Sequence, residues 1–314
     1  MPPKIAVITG PTASGKTALG VALAEALRGE VVSADSMQLY RRMDIGTAKP
    51  TPEEMRGVPH HMIDVAEPGE NYSVAHYVEE ASACVDDILA RKKLPIVVGG
   101  TGLYIDSLLS GRTFADGTSD SALRQELNER YDEIGGEGLL GELRKIDPER
   151  AQKLHAADKK RIVRAMEVYI LTGKTITQHD AETRLLPPRY DAARIALDFE
   201  NRADLYARID RRVDAMVEAG LFDEVRALLA EGIPADCTAM QAIGYKEAVD
   251  AVRGQTSEAD AADRIRQESR RYAKRQLTWL RRDPSLFWIR FEKAPDMALA
   301  RRLSTGFLVR CGIE

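Results

Sequence analysis

A chain of 314 residues, 44% hydrophobic, 30% charged and 6% aromatic, is long enough to bury a full core and too apolar to remain disordered. Its formal net charge of −4 excludes a protein that is basic all over, so any contact with nucleic acid must come from local clusters. No run of about 18 apolar residues marks a membrane span and the start MPPKIAVITGPT lacks the form of an export signal, while three scattered cysteines, Cys84, Cys237 and Cys311, fit reduced cytoplasmic thiols and exclude a zinc ribbon or a disulfide framework.

In chain order, Lys4 to Thr9 (KIAVIT) reads as a buried strand and Thr17 to Leu27 as the helix behind it, with Ala18, Leu19, Ala22, Leu23 and Ala26 on one face. Glu30 to Ser33 and Leu94 to Val98 read as two further strands, each ending in a polar or glycine-rich loop. From about Phe114 the β-branched runs stop and helical periodicity continues to Pro187-Pro188. The first part of that stretch is acidic (Asp116, Asp120, Glu126, Glu129) and the second basic (Arg150, Lys153, Lys159, Lys160, Arg161, Arg164). Ala193 to Leu197 resumes a strand, Leu205 to Gly220 reads as an amphipathic helix, and Ala259 to Arg282 as a long one. This last helix carries Arg264, Arg266, Arg270, Arg271, Lys274, Arg275, Arg281 and Arg282 against few carboxylates; the bland account of such a run is a solvated face. The alternation predicts an α/β fold, a parallel sheet flanked by helices, with a core domain over 1–113 and 190–314 and an all-helical insertion domain over 114–189.

Ligands of open α/β sheets collect at the carboxyl ends of the strands, and there the chemistry-bearing motifs lie. Gly10-Pro11-Thr12-Ala13-Ser14-Gly15-Lys16-Thr17 matches the phosphate-binding loop G-x-x-x-x-G-K-[ST], following a strand and opening a helix. Its backbone N–H groups and helix dipole suit a diphosphate, Lys16 adds a mobile charge, and the Thr17 hydroxyl can ligate Mg²⁺. Asp35, in Ser33-Ala34-Asp35-Ser36-Met37-Gln38, either caps a following helix or faces the phosphates as a proton acceptor. The strand ending in Gly99-Gly100-Thr101-Gly102 lacks the aspartate of an NTP hydrolase. His60-His61 stand without a ligand cluster, and Arg208 and Arg212, four apart on one helix face, can pair with Asp204 or Asp210 at the surface or reach a phosphate; the surface is the commoner outcome.

Taken together, GPTASGKT, VVSADSMQLYRRMDIGTAKPT, GVPHHMIDV, KLPIVVGGTGLYI, DKKRIVRAMEV, QAIGYKE and RRYAKRQLTWLRR closely resemble the bacterial tRNA dimethylallyltransferase (tRNA isopentenyltransferase) family, in the family's order from Ile5 to about Arg282. The resemblance implies a P-loop NTPase-like core with a helical insertion that grips the anticodon stem. It implies transfer of a dimethylallyl group from dimethylallyl diphosphate to N6 of the adenosine 3′ of the anticodon. Carried over by position, Asp35 is the general base, Lys16 and Thr17 hold diphosphate and Mg²⁺, and Arg212 lies on the diphosphate. Asp35, Ser36, Met37, Gln38, Thr101, Arg124, Lys160, Arg161, Ile162, Val163, Arg164, Gln241, Ala242, Ile243, Gly244, Tyr245 and Lys246 match positions that contact tRNA. Gln38, an uncharged donor and acceptor beside Asp35, is expected to read the flipped adenine. A cytoplasmic monomer with no membrane partner is expected. The alternatives are a P-loop kinase of a nucleotide or small metabolite, with Asp35 activating a hydroxyl, and a non-catalytic RNA-binding module.

Overall fold

A computed structural model describes residues 2–111 and 120–313. The chain begins with β1 (Lys4–Thr9), α1 (Lys16–Leu27), β2 (Gly29–Ser33), the short α2 (Pro52–Met55), β3 (His60–His61), α3 (Val74–Ala90), β4 (Leu94–Gly99) and α4 (Gly102–Ser110). Four helices follow, α5 (Ser121–Ile146), α6 (Pro148–Gln152), α7 (Lys159–Thr172) and α8 (Ile176–Leu185). Then come β5 (Asp191–Phe199), α9 (Arg202–Glu218), α10 (Leu221–Ala230), α11 (Tyr245–Val252), α12 (Glu258–Leu280), β6 (Phe287–Phe291) and α13 (Met297–Arg310).

The strands form one parallel sheet in the order β3-β2-β4-β1-β5-β6. The central strands β1, β2 and β4 are buried almost end to end, which is why they read as continuous β-branched runs rather than as alternating ones. Helix α1 packs on β2 and β4 and meets α13, α3 lies on β2 and β4, and α9 packs on β5. β6 and α13 are additions to the expected elements: FWIRF is short and follows Pro284, so it carried no clear period until its pairing with β5 showed it to be an edge strand.

By internal contacts the chain divides into Met1–Leu109 with Arg189–Glu314, and Ser110–Pro188. The junction expected between residues 113 and 114, with Phe114 and Asp116, lies outside the described residues; at the far end the division falls between Pro188 and Arg189, one residue before the expected place. The smaller unit is helical, and α5 breaks at Gly135, whose φ of 74° no helix interior holds. Its core is built from Leu127, Leu139, Leu140, Leu143, Ala151, Ile162, Val163, Ala165 and Met166. Of the 160–164 segment expected to contact RNA, Ile162 and Val163 have their side chains turned into this core, because the apolar face of α7 must be covered by its own unit.

Among the described residues no helix is long and apolar enough to cross a membrane, and the three cysteines are free. The carboxyl ends of β4 and β2 come together closely at Gly99, where a Cβ would lie 2.1 Å from the carbonyl oxygen of Ala34. Neither backbone can yield easily, so Gly99→Ala is expected to cost about 3 kcal/mol or more, at or above the upper range for overpacking. A urea unfolding curve checks this, and a midpoint within error of wild type would show that the two loops can separate without cost.

Candidate functional site

Helix α1 opens without a side-chain cap. Its N-cap, Gly15, is left-handed at φ 93°, and with Ala13 at φ 63° and Gly10 at φ 147° it gives the loop the positive-φ turns of a phosphate-binding loop, in which the Ser14 N–H donates to the Pro11 carbonyl at 3.4 Å. Gly10 is obligatory for a second reason: a Cβ there would meet the Leu197 carbonyl oxygen at 2.6 Å. The Lys16 Nζ bends back to donate to the Pro11 carbonyl oxygen at 2.7 Å, a contact that a diphosphate would replace. Burial, and then the positive charge of Arg212, lower the Lys16 pKa to about 7, against a smaller raising effect of the Asp35 carboxylate.

Arg208 and Arg212 both turn toward this loop. Arg208 Nε donates to the Ala13 carbonyl at 3.0 Å and Arg212 Nη1 to Thr12 Oγ1 at 3.2 Å. The commoner expectation, surface pairs with Asp204 or Asp210, is thereby overturned, because α9 lies with this face against the phosphate loop. Asp210 instead accepts from Arg270 at 2.6 Å. Burial lowers the Arg212 pKa, with the Asp35 and Glu54 carboxylates opposing.

No helix follows Asp35, so it caps none. Its Oδ1 accepts from the Met37 N–H at 2.9 Å, holding a tight turn, and no hydrogen bond among the described residues engages the other oxygen. Ser36 N–H donates to Thr101 Oγ1 at 3.1 Å, and Thr101 N–H donates to the Ala34 carbonyl at 3.2 Å, which ties the loops after β2 and β4 together. Gln276 of α12 completes this bracing. Its Oε1 accepts from the Thr12 N–H at 2.9 Å and its Nε2 donates to the Gly100 carbonyl at 3.0 Å. Sequence reading missed Gln276; the signal was a lone glutamine on the otherwise apolar side of the long helix. Beside it Tyr272 is pushed up to about 12 by burial and by the charge of Asp35.

Gln38 has its amide engaged within the protein. Its Nε2 donates to the carbonyls of Thr47 (3.4 Å) and Ala48 (3.1 Å), and its Oε1 accepts from Ser33 Oγ at 3.3 Å. Its amide N–H groups bond the loop that follows, which it braces, while the residue also lines the cavity that holds Asp35.

Three cavities share Arg212 as a lining residue. The innermost, about 80 Å³, is lined by Lys16, Thr17, Asp35 and Arg212 and by Val31, His60, Ile63 and Val98. A wider one, about 640 Å³, runs along the phosphate loop, Asp44, Ile45, Glu54, Arg208 and Arg212. The third, about 310 Å³, is walled by Asp35, Ser36, Met37, Gln241, Ala242, Ile243, Gly244, Tyr272 and Arg275. Tyr245 lies beside it but is fully buried, and Lys246 is exposed. The Tyr245 side chain is thus packed inside, behind the wall formed by Gln241 to Gly244. His60 Nδ1 bonds the Val58 carbonyl and His61 Nε2 sits 2.7 Å from Glu30, so the two histidines serve different partners.

The expected cationic contacts fall into two groups. In the helical unit Arg124 and Arg164 both bond the buried Glu167, at 3.0 and 2.8 Å, Arg161 pairs with Asp158, and Lys160 is exposed. On α12 the run is not simply a solvated face: Arg266 and Arg270 pair with Asp214 and Asp210 of α9. Arg275 stacks over Tyr272 and Arg282 over Trp279.

Two family models match this chain, IPP transferase over residues 38–283 and isopentenyl transferase over residues 3–67. A tRNA dimethylallyltransferase of Geobacillus thermodenitrificans is 49% identical over 92% of this chain and 90% of its own, and one of Trichlorobacter lovleyi is 46% identical over 93% and 95%. The crystal structure of a tRNA isopentenylpyrophosphate transferase from Bacillus halodurans superposes with a TM-score of 0.73 at 41% identity, covering 98% of both chains. A eukaryotic dimethylallyltransferase acting on tRNA gives 0.81 at 29% identity, over 98% of this chain and 80% of that one. With the models and relatives spanning most of its length, the chain belongs to the IPP transferase family, that of the tRNA dimethylallyltransferases.

Proposed function

We propose that the protein transfers a dimethylallyl group from dimethylallyl diphosphate to N6 of adenosine 37 of tRNA, releasing diphosphate. As a member of its family it is a prenyltransferase that modifies tRNA; the donor and the residue roles are our reading. One observation carries it: a phosphate loop with Lys16 and Arg212 and a carboxylate with an unengaged oxygen, Asp35, line the same cavity. An adenine amine is a weak nucleophile because its lone pair is delocalised. As N6 bonds to C1 of the allyl group, the C1–O bond breaks, its electron pair leaves on the diphosphate, and the N6 proton passes to Asp35. The loop N–H groups, Lys16 and Arg212 stabilise the charge that builds on the leaving group.

The Thr17 hydroxyl lines both the inner and the phosphate-side cavities and makes no hydrogen bond among the described residues. That hard oxygen fits Mg²⁺, which Thr17 would hold with the diphosphate oxygens. Such an ion supplies Lewis-acid stabilisation of the leaving group. The third cavity, walled by Ser36, Met37 and the Gln241 to Gly244 segment, takes the unstacked base. Lys160, Arg161, Arg164 and Arg124 supply phosphate contacts on the helical insertion, while Ile162 and Val163 hold the helix that carries them. Acting on tRNA, the protein is taken to be a cytoplasmic monomer.

Isotope transfer tests this. Label from the allylic carbon is expected in tRNA, recoverable as N6-isopentenyladenosine, with Mg²⁺ present and ATP absent, and inorganic pyrophosphate is expected to compete with the donor. Movement of a γ-phosphate to a metabolite with an absolute need for ATP would identify a kinase instead.

A further inference from the structure

Residues 44–48 form no regular structure, yet between them they line all three cavities. Asp44, Ile45 and Ala48 face the phosphate side, Gly46 and Thr47 the acceptor side, and Thr47 the inner cavity as well. A loop without a strand ladder needs another holder for its backbone groups. That holder is Glu224 of α10. Its Oε2 accepts from the N–H groups of Asp44 (2.9 Å) and Ile45 (2.8 Å), and its Oε1 from the Gly46 N–H (3.2 Å) and the Tyr245 hydroxyl (2.5 Å). Three successive N–H groups thus converge on one carboxylate from elsewhere in the chain, an anion nest filled by the protein itself. The Tyr245 ring closes over Gly46 so tightly that a Cβ there would lie 2.4 Å from the ring. Neither Glu224 nor Tyr245 lines any of the three cavities.

We propose that Glu224 is a positioning residue: with Tyr245 it fixes the 44–47 loop between the donor and acceptor cavities, and so sets the distance at which the adenine amine meets the allylic carbon. The inference rests on the proposed transfer reaction. A carboxylate is required because two acceptor oxygens face four donors; an amide of the same size would turn an NH₂ group against backbone N–H groups. The loop has a second anchor, since Lys49 Nζ donates to the Tyr40 carbonyl (2.9 Å), Asp44 (2.5 Å) and Asp64 (2.6 Å). Loss of the Glu224 clamp therefore shifts the loop rather than unfolding it. A displacement of about 1 Å suffices to lower turnover by about 10²-fold.

The test is steady-state kinetics of Glu224→Gln, Tyr245→Phe and the double variant with dimethylallyl diphosphate and tRNA, beside thermal melts and pyrophosphate titration. Glu224→Gln is expected to lower kcat by about 10 to 10²-fold, with KM for both substrates within about threefold and full pyrophosphate stoichiometry. Tyr245→Phe removes one of the four hydrogen bonds and is expected to lose less in the same parameter, and the double variant no more than Glu224→Gln, because both act through one clamp. Wild-type kcat in Glu224→Gln overturns the inference. So does a loss explained wholly by fewer pyrophosphate-binding sites, or losses that multiply in the double variant. If Glu224→Gln does not fold, Tyr245→Phe decides alone, wild-type kcat there being fatal. An inactive wild type would instead overturn the transfer reaction itself.

Discussion

Asp35→Asn is expected to lower kcat by about 10² to 10⁴-fold, the usual loss when a positioned base is removed, while tRNA and pyrophosphate affinities stay within a few-fold. The asparagine keeps the oxygen that receives the Met37 N–H, so the turn survives. What disappears is the second carboxylate oxygen, which no hydrogen bond among the described residues engages, on a residue that lines the cavity with Lys16 and Arg212. Single-turnover rates at saturating tRNA check this directly. Near-normal rates would remove Asp35 from the chemistry and leave proton transfer to water.

Arg212→Ala is expected to cost about 10² to 10³-fold in kcat, comparable to deleting one oxyanion donor, because its guanidinium stands over Thr12 where the leaving charge collects. It carries a second signature. Lys16 has a pKa lowered to about 7, with burial the larger cause and Arg212 the next. Only the protonated lysine assists an anion, so kcat/KM for the donor falls as pH rises above about 7, approaching tenfold per unit. Above that pH donor binding takes up a proton. Deleting Arg212 removes a cause of the lowering, which moves the alkaline limb to higher pH even as the rate drops. A pH profile of both proteins decides, and an unmoved limb in Arg212→Ala would show that the two cations do not interact.

Contiguous features were legible in the residues alone. The phosphate loop was fixed by eight consecutive residues, since spacing of glycines, lysine and threonine is local chemistry. The strands KIAVIT and LPIVV showed because burial on both faces leaves an unbroken apolar run. The helical insertion showed as a change of period, and the family through motifs held in order along the chain. Tertiary structure alone decided which side of each helix meets what. Arg208 and Arg212 share a face that sequence allows to be solvent or site, and only the seating of α9 against the phosphate loop chose the site. Gln276 lies 264 residues from Thr12, a separation at which no period speaks. Gln38, three residues after Asp35, spent its amide on Thr47 and Ala48, while Ile162, Val163 and Tyr245 turned inward, and Glu224 found three backbone donors in a loop nearly 180 residues away. A residue's neighbours in sequence set its backbone and its period; the partner of its polar atoms is set by whichever distant group the packing brings within about 3 Å.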